Sequence, residues 1–153
     1  GVLSDTALQK LVMNSASDGA IREFLSFDDF EDRSVTLLNE FFEAVKKVFN
    51  IDWVGMTPKT SRLRHGAGLV AMGFVMELLY ATEGALTSAQ FEPGLKLLRE
   101  HTAWTSGQWR LSNWDIRSWN GIQNTPSDID LLSNYLVRTL KRELRKVSAS
   151  EEG

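Results

Sequence analysis

Few side chains in this sequence could carry chemistry. The histidines are His65 and His101, and there is no cysteine. Two isolated histidines without thiolates disfavour a zinc site, while carboxylate-only binding of Mg2+ or Ca2+ stays open. Arg62, Arg64 and His65 cluster just before an apolar run, where a helix N-terminus could receive an anion. The plainer reading is that Arg62 and Arg64 are solvated or paired with acidic groups. Asp28, Asp29, Glu31 and Asp32 lack the spacing and central glycine of a calcium loop and read as a solvated turn. Gly66-Ala67-Gly68-Leu69-Val70-Ala71-Met72-Gly73 fits neither nucleotide fingerprint, since it has no GK[ST] and its third glycine falls at the wrong offset. It reads instead as a place of close helix packing. No GxSxG elbow and no SxxK pair occurs. No catalytic residue, metal ligand or cofactor is therefore nominated, and the chain reads as a non-enzyme.

The most unusual pattern is aromatic. Trp104, Trp109, Trp114 and Trp119 recur every five residues. That period matches neither a helical face nor a strand face. One reading is a loop pinned to the core by large aromatics. A second is a docking surface, because Trp and Arg are enriched at interface hot spots and Arg110 and Arg117 are interleaved. The residues nominated for interaction are Trp104, Trp109, Arg110, Trp114, Arg117 and Trp119. Base stacking on single-stranded nucleic acid is a third reading. A basic run, Arg138, Lys141, Arg142, Arg145 and Lys146, could touch phosphates. Its simpler role is to match the dipole of a helix C-terminus.

These residues need elements to hold them. At 153 residues the chain fits one domain with a core of its own. A first helix is predicted over about Asp5–Ser15, capped by Ser4, with Leu8, Leu11 and Val12 on one face. Ser17-Asp18-Gly19 breaks it, and a short turn with Ile21, Phe24 and Leu25 follows. A second helix is predicted from about Asp32 to Phe49, with Leu38, Phe41, Phe42, Val45, Val48 and Phe49 as its apolar stripe. Lys46 and Lys47 suit its C-terminus, and Asn50 reads as a stop. A third is predicted from Thr57-Pro58 to about Thr82, ended by Gly84 and buried among others because its centre is apolar all round. A fourth runs from about Ser88 to Thr102, with a kink or restart at Pro93-Gly94. Residues 103–124 read as irregular, with room for a small two-stranded element. The last helix opens at Thr125-Pro126-Ser127-Asp128, and Ile129, Leu132, Leu136, Leu140, Leu144 and Val147 line its inner face.

The expected fold is all-α: a compact bundle of five to six helices with a Trp-rich irregular segment before the last one. The expected domain spans 1–147, with 148–153 as a flexible tail. The start at Gly1, without Met, reads as a mid-protein start.

Charge excludes little but is uneven. The net charge is −3 and the pI about 5.4, without the basic excess of a nucleic-acid-coating protein. Residues 1–56 hold ten acids and five bases, and residues 57–153 ten acids and twelve bases. The longest uncharged apolar run, Gly66 to Met76, falls short of the roughly 20 residues a bilayer requires, so no membrane partner is expected.

Three phrases together resemble the C-terminal part of DGQHR-domain proteins, a group that includes DndB-like proteins of bacterial DNA phosphorothioation. They are Leu8-Gln9-Lys10-Leu11-Val12-Met13-Asn14-Ser15, Pro58 to Gly73 (PKTSRLRHGAGLVAMG), and Trp119-Asn120-Gly121-Ile122-Gln123-Asn124-Thr125. The naming motif is absent, and Asp18-Gly19-Ala20-Ile21-Arg22 is not it, so no family residue maps onto a position here. The resemblance implies a bacterial, cytoplasmic setting linked to DNA modification or defence. It also implies a non-catalytic interaction domain whose partner is an upstream part of the same protein or another subunit. DNA is the alternative partner.

Overall fold

The computed structural model describes residues 30–152, and the helix expected over Asp5–Ser15, the turn through Leu25 and Asp28–Asp29 lie outside them. The order is α1 (Phe30–Val48), α2 (Asn50–Trp53), α3 (Gly66–Glu83), α4 (Ser88–Leu98), a 3-10 turn (Arg99–His101), β1 (Gln108–Arg110), β2 (Ile116–Ser118), a second 3-10 turn (Trp119–Gly121) and α5 (Pro126–Glu152). The described chain is mostly helical. It is not purely so, because residues 103–124 contain an antiparallel two-stranded sheet.

The stripe expected on α1 is fully buried: Leu38, Phe41, Phe42, Val45, Val48 and Phe49 all lie in the core. Phe41 meets Phe91 of α4 edge-on with centroids 5.1 Å apart. Asn50 does not stop the chain's helical course. It opens the single turn α2, which sets Trp53 beneath Phe42.

The third helix starts eight residues later than its sequence signals. Thr57 and Thr60 close a local turn instead, with the Thr57 amide donating to Thr60 Oγ1 at 2.8 Å. The Arg62 amide then donates to the Trp104 carbonyl at 2.8 Å, which takes it out of any helical ladder. Helix α3 begins only where His65 caps it, with Nδ1 accepting from the Ala67 amide. At Gly68 an added Cβ would stand 1.8 Å from the Arg62 carbonyl oxygen. The pre-helix segment thus lies directly on the first turn of α3, which is the close approach the glycines permit. Gly84, at φ 64°, ends the helix in the left-handed region.

By length and apolar content α3 would suffice to cross a bilayer, but 56% of it is buried inside the molecule. It packs mainly along α5. Asn124 lies against Gly66 at one end, and Thr82 and Glu83 share a hollow with Lys141 and Arg145 at the other. The two helices therefore run parallel.

Helix α4 starts with a capping box between Thr87 and Gln90. It passes unbroken through Pro93, where a kink or restart was expected, and ends at Leu98 in a 3-10 turn. Gly94 faces Leu79 of α3 so closely that a Cβ would meet Leu79 Cδ2 at 2.4 Å. On α5, Leu132, Leu136 and Leu140 are buried and Ile129 and Leu144 partly so, while Val147 is exposed. Thr125 Oγ1 caps the helix by accepting from the Asp128 amide. The helix continues to Glu152, with Ser148 and Ala149 lining the same hollow as Thr82 and Glu83.

Candidate interaction site on the β-hairpin

The tryptophan ladder divides by depth. Trp104 and Trp109 are core residues, so they do not belong to a surface and leave the docking set. Trp119 is half-buried and packs against the core. Trp114 is 94% exposed. The five-residue period thus follows a chain that dips into the core, rises at one tip and returns.

The buried pair anchors the hairpin. An edge-to-face series runs from Phe49 to Trp104, from Trp104 to Trp109 at 4.9 Å, and from Trp109 to Tyr135 at 6.1 Å. It joins the junction between α1 and α2, the loop before β1, β1 itself and α5. Each such ring buries about 150–250 Å2, and each edge-to-face pair adds about 0.5–1.5 kcal/mol. Trp109 Nε1 donates to the Trp119 carbonyl across the hairpin. Burial raises the Tyr135 phenol pKa above its ordinary value. Its hydroxyl donates to the His101 carbonyl at 2.6 Å.

Charge fixes the second strand. Arg117, on the inner face opposite Trp109, donates to Asp115 at 2.9 Å and to Asp128 of α5 at 2.8 Å. These two carboxylates raise the guanidinium's pKa further. The hydrogen bond from Arg117, then that from the Gln123 amide, holds the Asp128 carboxyl below the usual range. Arg117 is therefore an anchor, and it leaves the docking set. Arg138 donates to the Leu111 carbonyl at 2.8 Å and lies over the Tyr135 ring. Arg62 clasps the far side, donating to the carbonyls of Ile122 and Asn120 at 2.8 Å each.

The tip is ordered as well. The Leu111 and Ser112 amides both donate to the Asp115 carbonyl, and the Trp114 amide donates to Ser112 Oγ. The tip then exposes Trp114, and the outer face of the ladder exposes Ile116, at 45%, and Arg110. Arg110 and Ile116 face each other in register. No ion-pair partner of Arg110 occurs among the described residues. Trp114 and Arg110 were legible as candidates, whereas Ile116 was missed because its face depends on the register.

The other nominated residues lie elsewhere. Arg142 and Lys146 share Glu143, which also meets His101. The Lys146 hydrogen bond, chiefly, lowers the Glu143 pKa. Lys141 and Arg145 line the open hollow beside Glu83, a volume of about 500 Å3. Of the Arg62–His65 cluster, Arg62 is spent on carbonyls and Arg64 stacks on Trp53 with 4.3 Å to the ring centroid. Burial, followed by the Arg62 charge, lowers the His65 pKa. Among the described residues no three His, Asp or Glu side chains converge as a metal site. No protein-family model, curated protein or solved structure matches the chain.

Proposed function

We propose that this chain is a non-catalytic, helical-bundle interaction module that docks a partner protein on the outer face of its β-hairpin. One observation carries the reading: an indole 94% exposed at the tip of a hairpin that Trp109, Arg117 and Trp119 anchor to the body of the molecule. Trp is highly buried on average. An exposed one on an ordered turn binds with little entropy lost, because backbone and neighbours are already fixed. Trp and Arg, both exposed on this hairpin, are residue types enriched at interface hot spots. The resemblance to DGQHR-type proteins suggests a setting in bacterial DNA modification or defence, with an upstream part of the same protein or another subunit as the partner.

Direct DNA contact by the basic helix is less favoured. Arg138, Arg142 and Lys146 are engaged within the molecule, which leaves Lys141 and Arg145 for phosphates.

The test compares affinity purifications from the native host. The baits are the wild-type chain, Trp114→Ala, and Lys141→Glu/Arg145→Glu. The expected result is a nuclease-resistant partner protein that falls by about tenfold or more with Trp114→Ala, the effect of losing a hot spot of at least 1.4 kcal/mol. The charge-reversed variant retains it. A partner indifferent to Trp114 overturns the reading, as does salt-sensitive nucleic acid that depends on Lys141 and Arg145.

A further inference from the structure

The hairpin has an unused edge, and its geometry defines what can fill it. The Trp119 amide donates to the Gly107 carbonyl, and the Leu111 amide to the Asp115 carbonyl. With the register Trp109↔Arg117, these fix 107/119, 109/117 and 111/115 as the hydrogen-bonded pairs. The alternate residues, Ile116 and Ser118, must then point their N–H and C=O groups away from β1. The Ile116 N–H and C=O and the Ser118 N–H have no hydrogen-bond partner elsewhere among the described residues, whereas the Ser118 carbonyl, at the N-cap of the second 3-10 turn, takes that turn's first hydrogen bond. Both side chains are exposed. An edge of this kind is a template for another strand.

We propose that the β2 edge takes up an extended segment of the partner as a third antiparallel or parallel strand. The segment's apolar residues would lie beside Ile116 and Trp114, and a carboxylate would face Arg110. This deepens the docking reading and rests on it. The main-chain bonds give affinity and the alternate side chains give selectivity. Arg110 decides the occupant. It belongs to a non-hydrogen-bonded pair, where side chains stand closest, so its charge sits against Ile116. Asp115 and Asp128 are turned to Arg117 on the other face, so the charge that the outer face of the ladder presents is the cation Arg110. A second copy of the hairpin would bring a second Arg110 to the joined face. An acidic-apolar strand meets it favourably.

One backbone angle makes the test clean. Ser118 has φ −63° and ψ 160°, values that proline adopts without strain. Ser118→Pro therefore preserves the hairpin, whose ladder does not use that amide, and deletes one outward N–H. A random 12-residue peptide library is displayed and selected on the full wild-type chain. Enriched peptides are resynthesised and titrated against wild type, Ser118→Ala, Ser118→Pro and Trp114→Ala. The expected peptides alternate apolar and acidic residues. They bind Ser118→Ala within about twofold of wild type and lose about tenfold on Ser118→Pro and on Trp114→Ala. The circular-dichroism melt of Ser118→Pro stays that of wild type. Binding lost with Trp114→Ala but kept in Ser118→Pro overturns strand addition and leaves the docking reading standing. Peptides indifferent to both, or no enrichment, overturn strand addition and count against docking at the hairpin. A chain that runs as a dimer, and as a monomer after Ser118→Pro, assigns the edge to a second copy and also overturns the proposal.

Discussion

His65 shows what one side chain does at a helix entrance. Its Nδ1 accepts the Ala67 amide, so only the neutral ring caps α3. The folded pKa lies below the ordinary value near 6.5, for burial and the Arg62 charge both oppose protonation. The unfolded chain then binds more protons in that window, and stability falls as pH drops through about 6.5 toward the folded pKa. His65→Asn keeps a capping acceptor that does not titrate. Urea titrations at pH 7.5 and 5.5 should show the wild type losing more stability than His65→Asn between the two. The Arg117–Asp128 pair behaves in the same sense at lower pH. Asp128 is held below its ordinary value, so its contribution is present above about pH 4 and is lost as pH falls through the folded pKa. Asp128→Asn should therefore destabilise the chain at pH 7, and the gap to wild type should narrow as the pH falls below about 4, as read by thermal melts. Arg62→Met strips the donor from three carbonyls, those of Ile122, Asn120 and Pro58, and should cost about 2–4 kcal/mol in urea unfolding. Trp114→Ala should leave stability within about 0.5 kcal/mol, since the indole touches almost nothing.

At the level of elements, legibility followed periodicity. The α1 stripe, the Thr125 cap of α5 and the Gly84 end of α3 are written in local spacing and were read from it. The start of α3 was not. Thr57-Pro58 is a sound helix opening by itself, and it lost to long-range partners: the Trp104 carbonyl for the Arg62 backbone, and Ile122 and Asn120 for its side chain. Pro93 likewise carried a break signal, yet the helix runs through it with Gly94 seated against Leu79. The two glycine contacts differ in kind, and mutation should separate them. Gly68→Ala drives a methyl into a backbone carbonyl and should prevent folding or cost more than about 4 kcal/mol. Gly94→Ala meets the flexible end of Leu79, which can turn aside, and should cost about 1–3 kcal/mol. Chemical denaturation of both variants gives the comparison.

Across the whole molecule, the candidate site was half legible. Trp and Arg types drew attention to residues 104–119, but depth is a tertiary property that a period of five does not encode. The core took Trp104 and Trp109, α5 took Arg117, and one indole remained outside. That division has an optical consequence. Trp104 and Trp109 emit from the core, and among the described residues Trp104 Nε1 has no hydrogen-bond partner to shift its emission to longer wavelength. Trp114 emits from water and is open to collisional quenchers such as iodide. The intrinsic fluorescence of the unlabelled chain thus contains a red-shifted, quenchable fraction belonging chiefly to the hairpin tip, and a ligand seated there would shield it while the blue fraction stayed constant.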